Sequence, residues 1–337
     1  MIKEHFCEVI MNKTVKILLS FFFMIVIVSF CACNKGEAQN ASATTSLPDN
    51  AVPSDTSNAE DPNNNGEPSA TESSVSEPEP EEPYNELVPI DKNKTYEILF
   101  IGNSCTSVNN LPLLLSNIAD KDGYDVNFTS VLKGGWYLDG HADSKDESGA
   151  KVDAQLKAKK WDYVVFQEQI KCFIDDPARF YDGARALVKK IRDNGAVPIL
   201  YSTWAYAEGN SYFEQRKISY DDMAWRAAAC CEAIGRELEI EVAYAGLAIR
   251  DLYVNHGDII DPYKSDLVHS NEVGTYIAAL TVYSVIFNID PTETAYSKPF
   301  YTTKYPDIVK NAVRDVTAKE VVIPYEYKTE SKNVTKK

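Results

Sequence analysis

The stretch YEILFIGNSCTSVNNLP, from Tyr96 to Pro112, places an apolar run directly before a polar turn. The run from Tyr96 to Ile101 is typical of a strand buried on both faces of a parallel sheet. It ends at Gly102-Asn103-Ser104, and the apolar pattern resumes at Leu111. A buried strand that ends in a polar turn can present a reactive side chain at the edge of a sheet, so Ser104 is a candidate nucleophile. The alternative is that Ser104 only caps a turn or a helix.

Four further apolar runs predict strands at Val126–Val131, Tyr163–Phe166, Val197–Tyr201 and Ile240–Tyr244. Helical patterns separate them. Asp176-Pro177 is a typical helix start, with a capping Asp and Pro at the first helical position, and Asn194-Gly195 is a typical end. Met223–Leu238 and Asn271–Phe287 predict two more helices. Five strands with helical crossovers predict one α/β domain, residues 93–328, with a parallel sheet covered on both faces.

Residues 1–33 have the pattern of a targeting signal. Lys13 and Lys16 precede an apolar run from Ile17 to Phe30, which is shorter than the roughly 20 residues of a comfortable membrane span. The run ends in Cys31-Ala32-Cys33, which resembles a bacterial lipoprotein signal with Cys33 as the lipidated residue. Phe30 departs from the Leu usual three residues before that cysteine, so an uncleaved anchor or an ordinary secretory peptide is the alternative. Met11 also fits as the start of this signal. The resulting expectation is an exported protein anchored by lipid to the outer face of the cytoplasmic membrane.

The segment 34–92 is predicted to be a disordered linker. It is rich in Asn, Ser, Thr, Glu and Pro, and it carries 13 acidic and two basic residues. Such a composition cannot bury enough apolar surface to offset the entropy of ordering. A polar tail, 329–337, closes the chain. The net charge of −16 and the lack of a basic run argue against nucleic-acid binding.

The cysteines beyond the signal are Cys105, Cys172, Cys230 and Cys231. They have no CxxC or Cys/His spacing, so no metal site and no cofactor is predicted. Buried free thiols are the favoured interpretation, and a Cys105–Cys172 bridge is the alternative.

A serine nucleophile needs a base, and the base needs an orienting group. His269 lies three residues after Asp266, just before the predicted helix from Asn271. That spacing lets the Asp266 carboxylate reach the imidazole and set its tautomer. Ser104, Asp266 and His269 are therefore the candidate catalytic triad. The alternative is that Asp266 and His269 are ordinary turn residues.

Several segments resemble the conserved blocks of one known group of enzymes. ILFIGNS after the first strand, KGGWYLDGH after the second and DLVH before the last long helix resemble blocks one, two and five of the SGNH (GDSL-like) hydrolase superfamily. With WDYVVFQEQ and STWA, the pattern is closer to a bacterial branch whose substrates are largely unassigned. The resemblance implies a three-layer α/β/α sandwich with a flavodoxin-like five-stranded parallel sheet. It also implies a carboxylic ester hydrolase.

The resemblance assigns roles to individual residues. Ser104 would be the nucleophile, and its backbone N–H with that of Gly135 would form the oxyanion hole, with Gly134 as the alternative to Gly135. Block three usually supplies an Asn as a third donor, but this chain has Gln167-Glu168-Gln169 there. A Gln amide can donate the same hydrogen bond, and Gln167 is preferred because it is nearer the strand end, with Gln169 as the alternative.

Four residues in the loops after the strands are candidate substrate-binding residues: Trp136, His141, Gln169 and Trp204. Aromatic side chains in such loops can stack on sugar rings, or they can simply pack within the loops. Glu168 is interpreted as a buried structural acid rather than a general acid.

The leading functional hypothesis is an exported serine esterase that removes acyl groups, with acetyl favoured, from a glycan. A lipase or thioesterase is the first alternative, although the sequence shows no long apolar loop to build an acyl groove. A glycan- or solute-binding lipoprotein that has lost catalysis is the second, and the altered block three is the only argument for it. A metal hydrolase using Glu168, Asp266 and His269 is the weakest, because a third ligand at convincing spacing is lacking. The oligomeric state stays open.

Overall fold

The computed structural model of the protein describes residues 90–297 and 305–332. Five strands form one parallel sheet: β1 (Thr95–Gly102), β2 (Asp125–Leu132), β3 (Tyr163–Phe166), β4 (Val197–Tyr201) and β5 (Glu241–Ala243). Their order is β2-β1-β3-β4-β5, and every neighbouring pair is parallel. This is the predicted flavodoxin-like sheet, and all five predicted strands are present. Strand β2 lies on one side of β1, and β3, β4 and β5 follow on the other side, so the topological switch point lies between β1 and β3. Ligands bind at this point in such folds.

The described residues contain eleven α-helices: α1 (Ser104–Ser107), α2 (Leu111–Lys121), α3 (Leu138–Ala142), α4 (Glu147–Ala158), α5 (Cys172–Asp175), α6 (Pro177–Asn194), α7 (Ser211–Arg216), α8 (Tyr220–Leu238), α9 (Ala245–His256), α10 (Glu272–Phe287) and α11 (Tyr305–Thr317). Short 3₁₀ turns lie at Val108–Asn110, Pro291–Glu293 and Tyr325–Tyr327. Helix α10 contacts α2, α9 and α11, and α9 also contacts α11; α3, α5, α6 and α8 make a second contacting group. With helices on both of its sides, the sheet is the central layer of the predicted three-layer sandwich.

Local sequence accounts for several helix ends. Asp176 caps α6 by accepting a hydrogen bond from the Arg179 N–H, and Gly195 ends the helix with φ 89°. Helix α8 begins at Tyr220, three residues before the predicted start, because Ser219 and Asp222 form a capping box. Asn271 caps α10, which is buried on most sides. An all-round apolar helix of this kind belongs in a core.

The core follows the strands. Residues 98–101 of β1 and 163–166 of β3 are almost fully buried, because helices cover both faces of the sheet. Cys105, Cys172, Cys230 and Cys231 are all buried free thiols, as the sequence indicated. Ser331 lies within the predicted polar tail, yet it is 3% exposed and hydrogen-bonds the side chain of Glu237, so the folded part extends at least that far.

The predicted signal of residues 1–33, with Cys33, and nearly all of the predicted linker lie outside the described residues. Within the described residues, none of the helices has the length and apolar character needed to span a bilayer.

Candidate active site

Ser104 lies where the sequence placed it, at the carboxyl end of β1 and at the first residue of α1. The side chain of Asn103 caps this short helix by accepting a hydrogen bond from the Cys105 N–H at 3.0 Å. Ser104 itself is half-buried, and its backbone N–H makes no hydrogen bond within the described residues. A free N–H at the start of a helix is a donor available to a developing oxyanion.

The histidine and the aspartate form the predicted pair. His269 Nδ1 and Asp266 Oδ2 are 2.8 Å apart. The other carboxylate oxygen of Asp266 accepts the backbone N–H groups of Val268 and His269, both at 2.9 Å. The carboxylate is thus fixed by the loop that carries the imidazole, and Leu267 between them takes a left-handed φ of 60°. A non-glycine residue in this region is uncommon and marks a tightly determined loop.

The charge on Asp266 sets the tautomer of His269. Burial raises the pKa of Asp266, but the hydrogen bonds from the His269 N–H, the His269 ring and the Val268 N–H outweigh it and lower the pKa to about 2. An ionised carboxylate only accepts hydrogen bonds, so His269 Nδ1 carries a proton. The neutral imidazole therefore has an unprotonated Nε2, which is the atom a general base uses.

Side chains from other segments hold the His269 loop in place. Asn109, five residues after Ser104, donates from its amide to Ser270 O at 3.1 Å and to Thr275 Oγ1 at 2.8 Å. Trp204, in the loop after β4, donates its indole N–H to Val268 O at 2.9 Å. The first contact ties the segment that follows Ser104 directly to the residue after His269. The structure thus brings the serine segment and the Asp-His loop together.

The block-two glycines form the predicted turn. Gly135 has φ 67°, and the Trp136 N–H donates to Lys133 O at 3.1 Å across the turn. Both Gly134 and Gly135 are exposed, and the Gly135 N–H makes no hydrogen bond within the described residues. The Lys133 N–H bonds Gly102 O at 3.0 Å, which joins this turn to the end of β1. The turn that carries the Gly135 N–H is therefore joined to the last residue of β1, two residues before Ser104.

Gln167 does not face the site, which corrects the preferred assignment for the third donor. It is 1% exposed, its Oε1 accepts the Asn103 N–H at 2.6 Å, and its Nε2 donates to Glu168 O at 2.6 Å. A Cβ on Gly102 would overlap the amide end of this side chain, so a larger residue there requires Gln167 to move. Gln167 thus supports the turn that carries Ser104.

Gln169 fits the donor role better than Gln167. It is partly exposed, and its Oε1 accepts the Lys171 N–H at 2.6 Å, which leaves the amide nitrogen as a donor. The same side chain hydrogen-bonds the Tyr206 hydroxyl. An amide nitrogen carries two hydrogens, so one remains for a ligand.

Two of the candidate substrate-binding residues are buried, and their roles change. His141 is 0% exposed and its Nε2 lies 2.9 Å from Gly102 O, so it braces the end of β1; burial lowers its pKa. Trp204 is 1% exposed and holds the Asp-His loop. Neither can stack on a substrate. Trp136 is half-buried, with the Lys133 ammonium 3.0 Å from its ring centre, and remains a candidate.

Glu168 is 0% exposed, and it accepts backbone hydrogen bonds from Leu138 and Gln169. It is thus the buried structural acid that the sequence suggested, and it is not joined to Asp266 or His269. Within residues 90–297 and 305–332, no group of three or more His, Cys, Asp or Glu side chains is placed to hold a metal ion.

Comparison with known proteins supports this architecture. No protein-family model and no curated protein matches the chain. Among solved structures, a protein from Slackia heliotrinireducens named as an SGNH hydrolase is 27% identical, with a TM-score of 0.51, and the match covers 57% of this chain and 98% of that one. A DUF4886 family protein from Bacteroides uniformis is 20% identical, with a TM-score of 0.56, and the match covers 71% and 98%. The chain has the SGNH hydrolase fold, and the predicted resemblance to that superfamily is confirmed.

Proposed function

We propose that this chain is a serine esterase in which Ser104, His269 and Asp266 form the catalytic triad. The observation that carries the proposal is the 2.8 Å contact between His269 Nδ1 and Asp266 Oδ2, in a loop bonded through Asn109 to the segment that follows Ser104. Together with the SGNH fold, this pairing supports an ester hydrolase over a binding protein, because a relic site has no need to keep the imidazole oriented.

The mechanism follows from the geometry. Ser104 Oγ attacks the ester carbonyl carbon while His269 Nε2 takes the hydroxyl proton, and Asp266 stabilises the imidazolium that forms. The carbonyl oxygen becomes an oxyanion, which accepts the backbone N–H groups of Ser104 and Gly135 and the amide of Gln169. Each such donor typically contributes about 3 kcal/mol to transition-state stabilisation.

Collapse of the intermediate breaks the ester bond, and the leaving alkoxide takes the proton from His269. The acyl group now sits on Ser104 Oγ. A water molecule then gives a proton to His269 and attacks the acyl carbon. The second tetrahedral intermediate releases the carboxylic acid and returns the proton to Ser104. Apart from the ester and one water molecule, the two halves need no other reactant.

The substrate we propose is an acyl ester, with acetyl favoured, on a carbohydrate outside the cell. The predicted lipoprotein signal and long acidic linker support an exported enzyme anchored to the membrane surface, and half-buried Trp136 and Tyr137 beside the Gly135 turn support a sugar-contacting role. Trp204 and Tyr206, in the loop after β4, are buried and offer no face to a sugar ring. A lipase or thioesterase is the second candidate.

An acyl-chain series tests this function. The full chain would be assayed on p-nitrophenyl acetate, butyrate and octanoate and on acetylated xylan, beside Ser104→Ala. We expect turnover biased to acetyl and abolished in the variant. A bias to octanoate would indicate the lipase alternative. Full activity in Ser104→Ala would refute the mechanism, and no turnover with unchanged glycan binding in the variant would favour a binding protein.

A further inference from the structure

The two loops that supply the Gly135 and Gln169 donors are joined by one buried carboxyl group. Glu168 Oε1 accepts the Gln169 N–H at 2.6 Å and the Leu138 N–H at 3.1 Å, and Oε2 lies 3.3 Å from the same Leu138 nitrogen. Leu138 is the first residue of α3, directly after the block-two turn. The side chain of Glu168 is 0% exposed. A group buried this deeply cannot touch substrate, so any contribution to catalysis passes through its hydrogen bonds.

The Gly135 turn is fixed at both ends. Before the glycines, the Lys133 N–H bonds Gly102 O at 3.0 Å, and directly after them Trp136 O accepts the Asn103 amide at 3.0 Å. Both bonds join the turn to the segment that ends in Ser104. At its end, the Leu138 N–H is held by Glu168. The spacing between the turn and the loop after β3 therefore depends on the Glu168 carboxyl group.

We propose that Glu168 is a positioning residue that sets the distance between the Gly135 N–H and the Gln169 amide in the oxyanion hole. This inference rests on the proposed esterase function. It also accounts for the unusual block three: Gln167 supports the nucleophile turn, Glu168 supports the block-two turn, and Gln169 supplies the donor. Oxyanion donors act through placement, and a shift of about 1 Å in a catalytic geometry can cost on the order of 100-fold in rate.

The surroundings of Glu168 decide which variants are informative. Burial raises its pKa to about 8, and hydrogen bonds from Gln169 and Leu138 oppose that rise. The titratable groups around it are Tyr137 and Asp139 in the loop after β2 and in α3, Cys172 in α5, Arg179 in α6 and Cys231 in α8. A neutral carboxyl group keeps Oε1 as an acceptor. Glu168→Gln is therefore a close mimic, whereas Glu168→Met removes the acceptor and Glu168→Asp withdraws it by one C–C bond, about 1.5 Å.

The test compares Glu168→Gln, Glu168→Asp and Glu168→Met with the wild-type full chain on p-nitrophenyl acetate. Active sites would be titrated with a phosphonate, so that kcat is expressed per functional site. We expect Glu168→Gln to keep most of kcat, and Glu168→Asp and Glu168→Met to lose about 10- to 100-fold with little change in KM. Glu237→Gln is the matched control, because it weakens a partly buried ion pair with Arg185 on α6 and α8. It should lower Tm and leave kcat unchanged.

The outcomes separate this inference from the proposed function. If Ser104→Ala is inactive but Glu168→Asp and Glu168→Met keep wild-type kcat per titrated site, the positioning role is wrong and the esterase stands. If Glu168→Met does not fold, the comparison of Glu168→Asp with Glu168→Gln decides the same question, and equal kcat values would overturn the proposal. If Ser104→Ala retains activity, both proposals fall.

Discussion

Asp266→Asn is the most informative single change in the loop that carries the proposed base, His269. In the structure Asp266 Oδ1 accepts two backbone N–H groups at 2.9 Å, and Oδ2 faces His269 Nδ1 at 2.8 Å. An asparagine can keep Oδ1 in place, so the backbone of the loop should survive. Its amide nitrogen then lies opposite Nδ1 and can only donate. His269 must respond by carrying its proton on Nε2, where it cannot accept the proton of Ser104.

The size of the effect follows from this switch of tautomer. A substitution of this kind in a serine triad lowers kcat by about 10⁴-fold, which is about 5.5 kcal/mol of transition-state stabilisation. The decrease in Tm should be small, because the side chain of Asp266 is 48% exposed and both hydrogen bonds from the backbone remain. We therefore expect a large loss of kcat, little change in KM and a small change in Tm.

The assay is hydrolysis of p-nitrophenyl acetate by the full chain, with Tm measured on the same samples. Asp258→Asn is the matched control, since Asp258 is an exposed aspartate in the segment before Asp261 and its loss removes the same charge. We expect the control to keep wild-type kinetics. An Asp266→Asn variant that keeps more than about a tenth of kcat would refute the tautomer argument.

Three further predictions concern the residues that support the site. Trp204→Phe removes the 2.9 Å hydrogen bond to Val268 O and leaves that carbonyl unpaired. Calorimetry should therefore show a loss of about 1–3 kcal/mol in the free energy of unfolding, and kcat should fall as well. An unchanged kcat would contradict the role of Trp204 in holding the loop. Gly102→Ala would force Gln167 out of its position, and we expect a lower Tm with loss of activity, whereas a wild-type Tm would show that the site can relax. Burial raises the pKa of Glu168 from 4.5 to about 8, so Glu168 loses its proton at lower pH in the unfolded chain than in the folded one. The stability that this group contributes therefore falls as the pH rises between these two values. The Tm of Glu168→Gln relative to wild type should rise over that range, and a constant difference in Tm would refute the shift in pKa.

The sequence predicted the framework of this protein because the framework depends on local patterns. The apolar runs of β1 and β3 are continuous, as buried parallel strands require, and the Asp176-Pro177 start and Gly195 end of α6 are set by backbone chemistry. The Asp266–His269 pair could be predicted from the sequence for the same reason. Only two residues of a turn, Leu267 and Val268, separate Asp266 from His269, so their contact is a local event.

The direction in which a side chain points at the end of a strand is not determined by the local sequence. Gln167, His141 and Trp204 all follow strands at the predicted edge of the sheet, yet all three are buried, because each finds a backbone partner on a neighbouring loop. The pattern of polar and apolar residues along a loop does not indicate which of its side chains are buried. Asn109 was not singled out from the sequence, since an Asn-Asn pair indicates a turn and says nothing of a partner 161 residues away.

Covalent labelling of Ser104 tests the central claim most directly. The full chain would be treated with a fluorophosphonate, which transfers its phosphonyl group to an activated serine and releases fluoride, and the modified peptide would be mapped by mass spectrometry. We predict one stoichiometric adduct on Ser104, slowed in His269→Ala and absent in Ser104→Ala. A chain that hydrolyses esters but is labelled on a different residue, or is not labelled at all, would contradict the triad of Ser104, His269 and Asp266.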